Sequence, residues 1–158
     1  MKGYIQNIED VVNKNGDFRK VLYTAGNIQL VVMCLNPKEE IGMELHELDQ
    51  FFRIEEGVGE ALLDGVRTEI GPGFAVLVPA GTKHNITNTG KVPLKLYTLY
   101  APPNHRDGVV HRSRAEAEKD NEAGCPGRGP IVTVYHNHDK HLNGRRIRCH
   151  VWGNIPFL

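Results

Sequence analysis

Two short stretches of this chain concentrate side chains of the kind that hold metal ions. The first is Glu44-Leu45-His46-Glu47-Leu48-Asp49-Gln50, and the second is Pro79-Ala80-Gly81-Thr82-Lys83-His84. Along an extended strand residues i and i+2 share a face, so Glu44 and His46 aim at one point. Gln50 follows four residues later, far enough for a short turn to bring it back beside them. In the second stretch a Pro/Gly turn delivers His84 at the mouth of a strand. One carboxylate, one amide oxygen and two imidazoles make a mixed oxygen and nitrogen set. Such a set suits a divalent first-row ion (Mn, Fe, Zn or Ni) and is poor for soft, thiolate-preferring ions. Gln50 is neutral and a weaker ligand than glutamate, so a bound 2+ ion would keep more positive charge. That favours Lewis-acid polarisation of a substrate oxygen. Glu47 and Asp49 flank the set at the wrong parity and are poor acid/base candidates.

These side chains need a frame of short strands. Ile28 to Leu35 reads as a strand ended by Asn36-Pro37. Phe51–Ile54, Glu60–Leu63, Val66–Ile70, Phe74–Val78 and Leu94–Tyr100 follow, and Asp64-Gly65 marks a tight hairpin turn. Many short strands at this spacing point to a sandwich or barrel. Phe52 and Ile54 share the face of Gln50 and should line the interior. If Leu94, Leu96 and Thr98 point inward, Tyr100 follows by the same alternation. Its first reading is core packing, and a hydroxyl near the metal is the alternative. Arg53 and Lys83 read as surface residues. One helix is expected, capped by Ser113, running through Arg114–Lys119 and closed by Gly124. It is polar all round and so should lie on the surface.

The segment Gly73 to Asn88 matches every fixed position of G-x5-P-x-G-x2-H-x3-N, the second motif of the cupin family. The first cupin motif, G-x5-H-x-H-x3,4-E-x6-G, appears here as Glu44-x-His46-x3-Gln50-x6-Gly57, with Lys38 in place of its opening glycine. Spacing is kept while two of the three ligands are exchanged. The chain therefore resembles a cupin over roughly residues 25–103. The resemblance implies an all-β fold, a double-stranded β-helix or jelly-roll barrel, with the metal inside and Glu44, His46, Gln50 and His84 as its ligands. Two His, one Glu and one Gln are also similar to the set in mannose-6-phosphate isomerases.

Composition sets outer bounds. The 158 residues favour one domain with, at most, a short appendage. Lys plus Arg equals Asp plus Glu, 19 each, so no global charge field invites nucleic acid or an anionic membrane. No apolar run approaches a membrane span, and the opening residues lack a signal peptide's apolar stretch, so a cytoplasmic protein is expected. Cys34, Cys125 and Cys149 form no C-x-x-C pair, which argues against a disulfide framework or thiolate zinc site. Residues 1–122 are expected to form the barrel. Residues 123–158 form a basic, His-rich tail with 5 basic and 1 acidic side chains, Trp152, and a His136, His138 and His141 group after a strand-like 132–134. His105-x-Asp107-x3-His111 reads as loop surface. The functional expectation is a metal-dependent cupin that transforms a small oxygen-rich metabolite (a sugar, sugar phosphate or keto acid) by isomerase or hydrolytic chemistry. A non-catalytic small-ligand module and an Fe(II) dioxygenase are the alternatives. A homodimer is expected from the resemblance, since open sheet edges otherwise invite aggregation.

Overall fold

Turn residues divide the chain into nine strands and two helices among the described residues, which in this computed structural model are 3–122. The tail readings (Gly124 as helix stop, the 132–134 strand, Cys125, Cys149, Trp152 and the group of His136, His138 and His141) lie outside the described residues. In chain order the elements are α1 (Ile8–Lys14), β1 (Arg19–Thr24), β2 (Gln29–Leu35), β3 (Asp49–Glu56), β4 (Gly59–Leu63) and β5 (Val66–Ile70). Then come β6 (Ala75–Val78), β7 (His84–Asn88), β8 (Leu94–Ala101), β9 (Val110–His111) and α2 (Arg114–Glu122). They form a six-stranded antiparallel sheet in the order β6-β3-β8-β2-β1-β9 and a three-stranded sheet in the order β5-β4-β7. The free edge of β7 is taken up by bridges from Glu40 and Glu44 to Thr87 and His84, so the ligand-bearing segment is itself part of the wall.

Alternation decides what enters the interior. Gln50, Phe52 and Ile54 on β3 and Leu94, Leu96, Thr98 and Tyr100 on β8 are all buried, while the residues between them are half-buried or exposed. They pack with Val31, Met33 and Leu35 from β2 and with Ala61, Ile70 and Ile86 from the smaller sheet, so the core lies between the two sheets. Each of these large apolar side chains contributes about 1.5–3 kcal/mol of burial. The β4–β5 hairpin forms at Asp64-Gly65, whose φ values of 44° and 86° are those of a primed two-residue turn.

Four elements escape the sequence pattern: α1, β1, β7 and the two-residue β9. Helix α1 has seven residues and buries only Val12, yet Asn7 caps it by accepting from the Asp10 amide at 3.3 Å. It crosses the outer face of the large sheet against β2, β3 and β8, which is why Val32 and Cys34, pointing outward from β2, are also buried. Strand β1 opens with Arg19-Lys20, and β7 reads His-Asn-Ile-Thr-Asn; neither shows an apolar alternation. Helix α2 forms where expected, with Ser113 Oγ accepting from the Glu116 amide at 3.3 Å. It is not wholly surface-borne: Ala117 enters the core cluster.

Candidate metal centre

The two motif segments are stapled by their backbones. Glu44 and His84 exchange paired amide–carbonyl bonds of 2.8 and 2.9 Å, and the Gly81 amide donates to the His46 carbonyl at 2.7 Å. Asp49 braces the turn before His84 by accepting from the Ala80 amide at 2.9 Å, a structural task that its parity allows. Lys38, standing at the motif's glycine position, has a φ of 71°, the left-handed backbone that a glycine would adopt most easily. Asn88, the last fixed residue of the second motif, donates to the carbonyls of Leu35 and Val92 and accepts from the Gly90 amide, tying β7 to the loops on either side.

Glu44, His46, Gln50 and His84 converge in the interior, each no more than 9% exposed. His46 Nε2 lies 3.0 Å from Glu44 Oε2, and His84 Nε2 lies 3.7 Å from the same oxygen. The ligand atoms of Glu44, His46 and His84 all fall within 4.8 Å of one another. Gln50 completes the ring with Oε1 at 3.0 Å from His84 Nε2. Its amide nitrogen donates to Thr98 Oγ1 at 3.1 Å, which turns the oxygen towards the histidine.

The hydrogen bonds around His84 decide whether a metal ion suits this ring. The neighbour of Nδ1 is the Thr82 carbonyl at 3.0 Å, an acceptor, so Nδ1 carries the proton and Nε2 of the neutral ring presents a lone pair. That lone pair faces the amide oxygen of Gln50 at 3.0 Å, a second lone pair. A cation between them resolves the opposition. A proton on Nε2 is disfavoured, because burial first of all lowers the His84 pKa, although the Thr82 carbonyl and Glu44 pull it upward. A divalent ion fits this donor set. On Glu44 burial is the largest influence and pushes the pKa up, but the His46 hydrogen bond and the Arg19 charge outweigh it, leaving the carboxyl ionised with a pKa of about 2.

The remaining sequence candidates divide. Tyr100 borders the ring, with its centroid 6.2 Å from that of His46 and its hydroxyl bonded to Gln50. Burial drives its pKa up, so it stays a protonated phenol and a donor. Phe52 packs against His84 at 6.1 Å, whereas Ile54, two rungs further along β3, belongs to the apolar core. Lys83 is exposed. His105 and His111 do not lie on a loop surface. His105 turns inward edge-on to Tyr100 with centroids 5.0 Å apart, and His111 is buried on β9, bonded to Asp120 at 3.1 Å. Gln29, fully buried, causes the first of these placements by gripping the backbone of Asn104 and His105. Arg19 is the residue that sequence reasoning missed: it is buried on β1 with Nη2 at 3.5 Å from Glu44 Oε1. A basic side chain opening an unrecognised strand gave no signal.

Comparison with known proteins agrees with this fold. Residues 31–100 match the model of the cupin domain. The chain belongs to the cupin family. It is 42% identical over 123 residues to YrkC of Bacillus subtilis, covering 73% of this chain and 66% of that one, so it spans about two thirds of that relative's length. The crystal structure of BH2720 from Bacillus halodurans superposes with a TM-score of 0.74 at 42% identity, covering 75% of this chain and 95% of that one. A Klebsiella pneumoniae protein with a double-stranded β-helix domain shares the fold at 20% identity and a TM-score of 0.56, over 71% of this cupin and all of its counterpart. Among the described residues of this cupin, no helix is long and apolar enough to cross a membrane.

Proposed function

We propose that this cupin is a metal-dependent enzyme acting on a small oxygen-rich metabolite, a sugar, sugar phosphate or keto acid, by isomerase or hydrolytic chemistry. One observation carries the reading: His84 Nε2 and Gln50 Oε1 oppose lone pairs at 3.0 Å beside the ionised Glu44. A divalent ion (Mn, Fe, Zn or Ni) held by Glu44, His46, Gln50 and His84 would polarise a substrate carbonyl or hydroxyl as a Lewis acid. Thr98 and the Tyr100 hydroxyl keep Gln50 aimed, and Phe52 closes the apolar side of the site against water. Two His, a Glu and a Gln are the same ligand types as in mannose-6-phosphate isomerases, which favours aldose–ketose isomerisation within this class.

A second reading, a binding module without turnover, is favoured by the lack of a spare base. Among the described residues Glu44 is the carboxylate of the cluster and is used as a ligand, while Tyr100 stays protonated. Incubating the metal-loaded protein with panels of aldoses, sugar phosphates and keto acids in D2O, followed by proton NMR, separates the readings. Isomer formation or solvent exchange that vanishes in His46→Ala supports the enzyme; binding without any change in the substrate supports the module; turnover that survives His46→Ala overturns the site.

We further propose a homodimer formed through the outer face of the large sheet. The register places Leu77, Phe51, Leu99 and Leu30 in one outward row across β6, β3, β8 and β2, and Leu77 is 69% exposed.

A further inference from the structure

Arg19 is a buried cation whose hydrogen-bonding capacity is largely unspent. The residue is 2% exposed, yet among the described residues its one ion-pair contact is Nη2 to Glu44 at 3.5 Å, and Nε and Nη1 are buried without a hydrogen-bond partner. Among the described residues His105 Nε2 likewise has no hydrogen-bond partner, although Gln29 fixes the backbone of Asn104 and His105 through three hydrogen bonds. Arg19 meets Glu44 directly, and Tyr100 stands edge-on to both His46 and His105, with centroids 6.2 and 5.0 Å apart, so Arg19 and His105 both lie close to the ligand ring. A buried guanidinium kept for packing alone would have its N–H groups satisfied. Here the orphaned donors lie beside the place where a metabolite's oxygens would meet the metal. When Glu44 turns its charge to a 2+ ion, its pairing with Arg19 weakens, and the site as a whole then favours an anion.

We propose that Arg19, assisted by His105, binds the oxyanion, a carboxylate or phosphate, of the metabolite that this barrel takes up, and so restricts the substrate class to small acids or phosphate esters. This deepens the reading above and rests on it for the location of the ligand, though the anion preference itself requires no metal. Arginine suits the task because its donors make charge-assisted hydrogen bonds to oxyanions without ever losing their protons.

Calorimetric titration of the full chain, metal-free and Mn(II)-loaded, tests it with two matched pairs: glycolate against glycolamide, and glycerol 3-phosphate against glycerol. The expected result is that at least one anion binds about tenfold or more tightly than its neutral counterpart. That preference should vanish in Arg19→Met, shrink in His105→Gln and survive in part in Arg19→Lys, with Mn(II) uptake unchanged in all three. The pair that responds tells carboxylate from phosphate. If Arg19→Met does not fold, the wild-type preference and its reduction in His105→Gln decide. Equal binding of anion and neutral probe, no binding of any probe, or a preference that survives Arg19→Met overturns the proposal. A protein that takes up no Mn(II) yet shows an Arg19-dependent preference would overturn the metal reading alone.

Discussion

Replacing Gln50 by glutamate should pull stability and metal affinity in opposite directions. Gln50 Oε1 lies 3.0 Å from His84 Nε2, which lies 3.7 Å from Glu44 Oε2, so a carboxylate at position 50 would stand within about 7 Å of the Glu44 carboxylate. Two like charges at that separation repel by at least about 2 kcal/mol at an effective dielectric of 20. Residue 50 is 2% exposed, so desolvation adds to the cost. For a folded unit of this size a loss of about 2 kcal/mol lowers Tm by about 8 °C. The metal-free Gln50→Glu variant should therefore melt about 8 °C below wild type in chelator at neutral pH. The gap should close in acid, where the new carboxyl is protonated. With a metal ion bound, the same carboxylate becomes the better ligand. A tenfold gain in affinity returns about 1.4 kcal/mol at saturating metal and narrows the gap to about 2 °C. Thermal unfolding with chelator and with saturating Mn(II), joined to a competition titration of Mn(II), reads both arms. A variant that melts with wild type in chelator and binds metal no more tightly would refute the placement of Gln50 beside Glu44.

Four further outcomes follow from particular contacts. Burial holds the His105 pKa near 3, below its ordinary 6.5, so the unfolded chain takes up a proton that the folded chain refuses. Stability should be complete above pH 6.5 and fall by about 1 kcal/mol per pH unit from pH 6 to 4, allowing for the ring's partial exposure. His84 contributes in the same sense, while Glu44, with its pKa held down to about 2, enters only below its unfolded value of 4.5. His105→Gln should accordingly flatten the slope by about half in urea unfolding across that range; an unchanged slope would contradict it. Gly57→Ala should cost about 3 kcal/mol, since its φ is +84° and an added Cβ would sit 2.6 Å from the Pro93 carbonyl oxygen. Gly65→Ala, with φ +86° and open space around it, should cost only about 1 kcal/mol, and equal losses in the two would sink the steric argument. Light scattering should show a dimer for wild type and a monomer for Leu77→Asp; a monomeric wild type would remove the proposed interface.

Much of the barrel was written in local patterns. The alternations in Asp49–Glu56 and Leu94–Ala101 place seven inward side chains correctly, and Asp64-Gly65 specifies its hairpin, because a half-buried strand must alternate and a primed turn needs positive φ. The ligand spacing was equally readable, since the i, i+2 relation and the Pro/Gly turn are local facts. The parts that were not readable depend on distant chain. Strand β7, rich in asparagine, is held by side-chain bonds to Leu35, Val92 and the amide of Gly42 rather than by propensity. Helix α1 forms because a sheet face lies beneath it. Arg19 and His105 reach the interior only because β1 joins the sheet beside β2 and Gln29 turns the loop after Pro103 inward. No window of sequence around either residue contains that information.

The central claim is that Glu44, His46, Gln50 and His84 hold one divalent ion. Its most direct test is metal content per chain by plasma mass spectrometry, for wild type, His84→Ala and His105→Ala, after incubation with Mn, Fe, Zn or Ni and removal of excess ion. Wild type should carry close to one ion per chain, His84→Ala should lose it, and His105→Ala should retain it. A wild type that retains none of the four ions, or a His84→Ala variant that keeps its full complement, would contradict that claim.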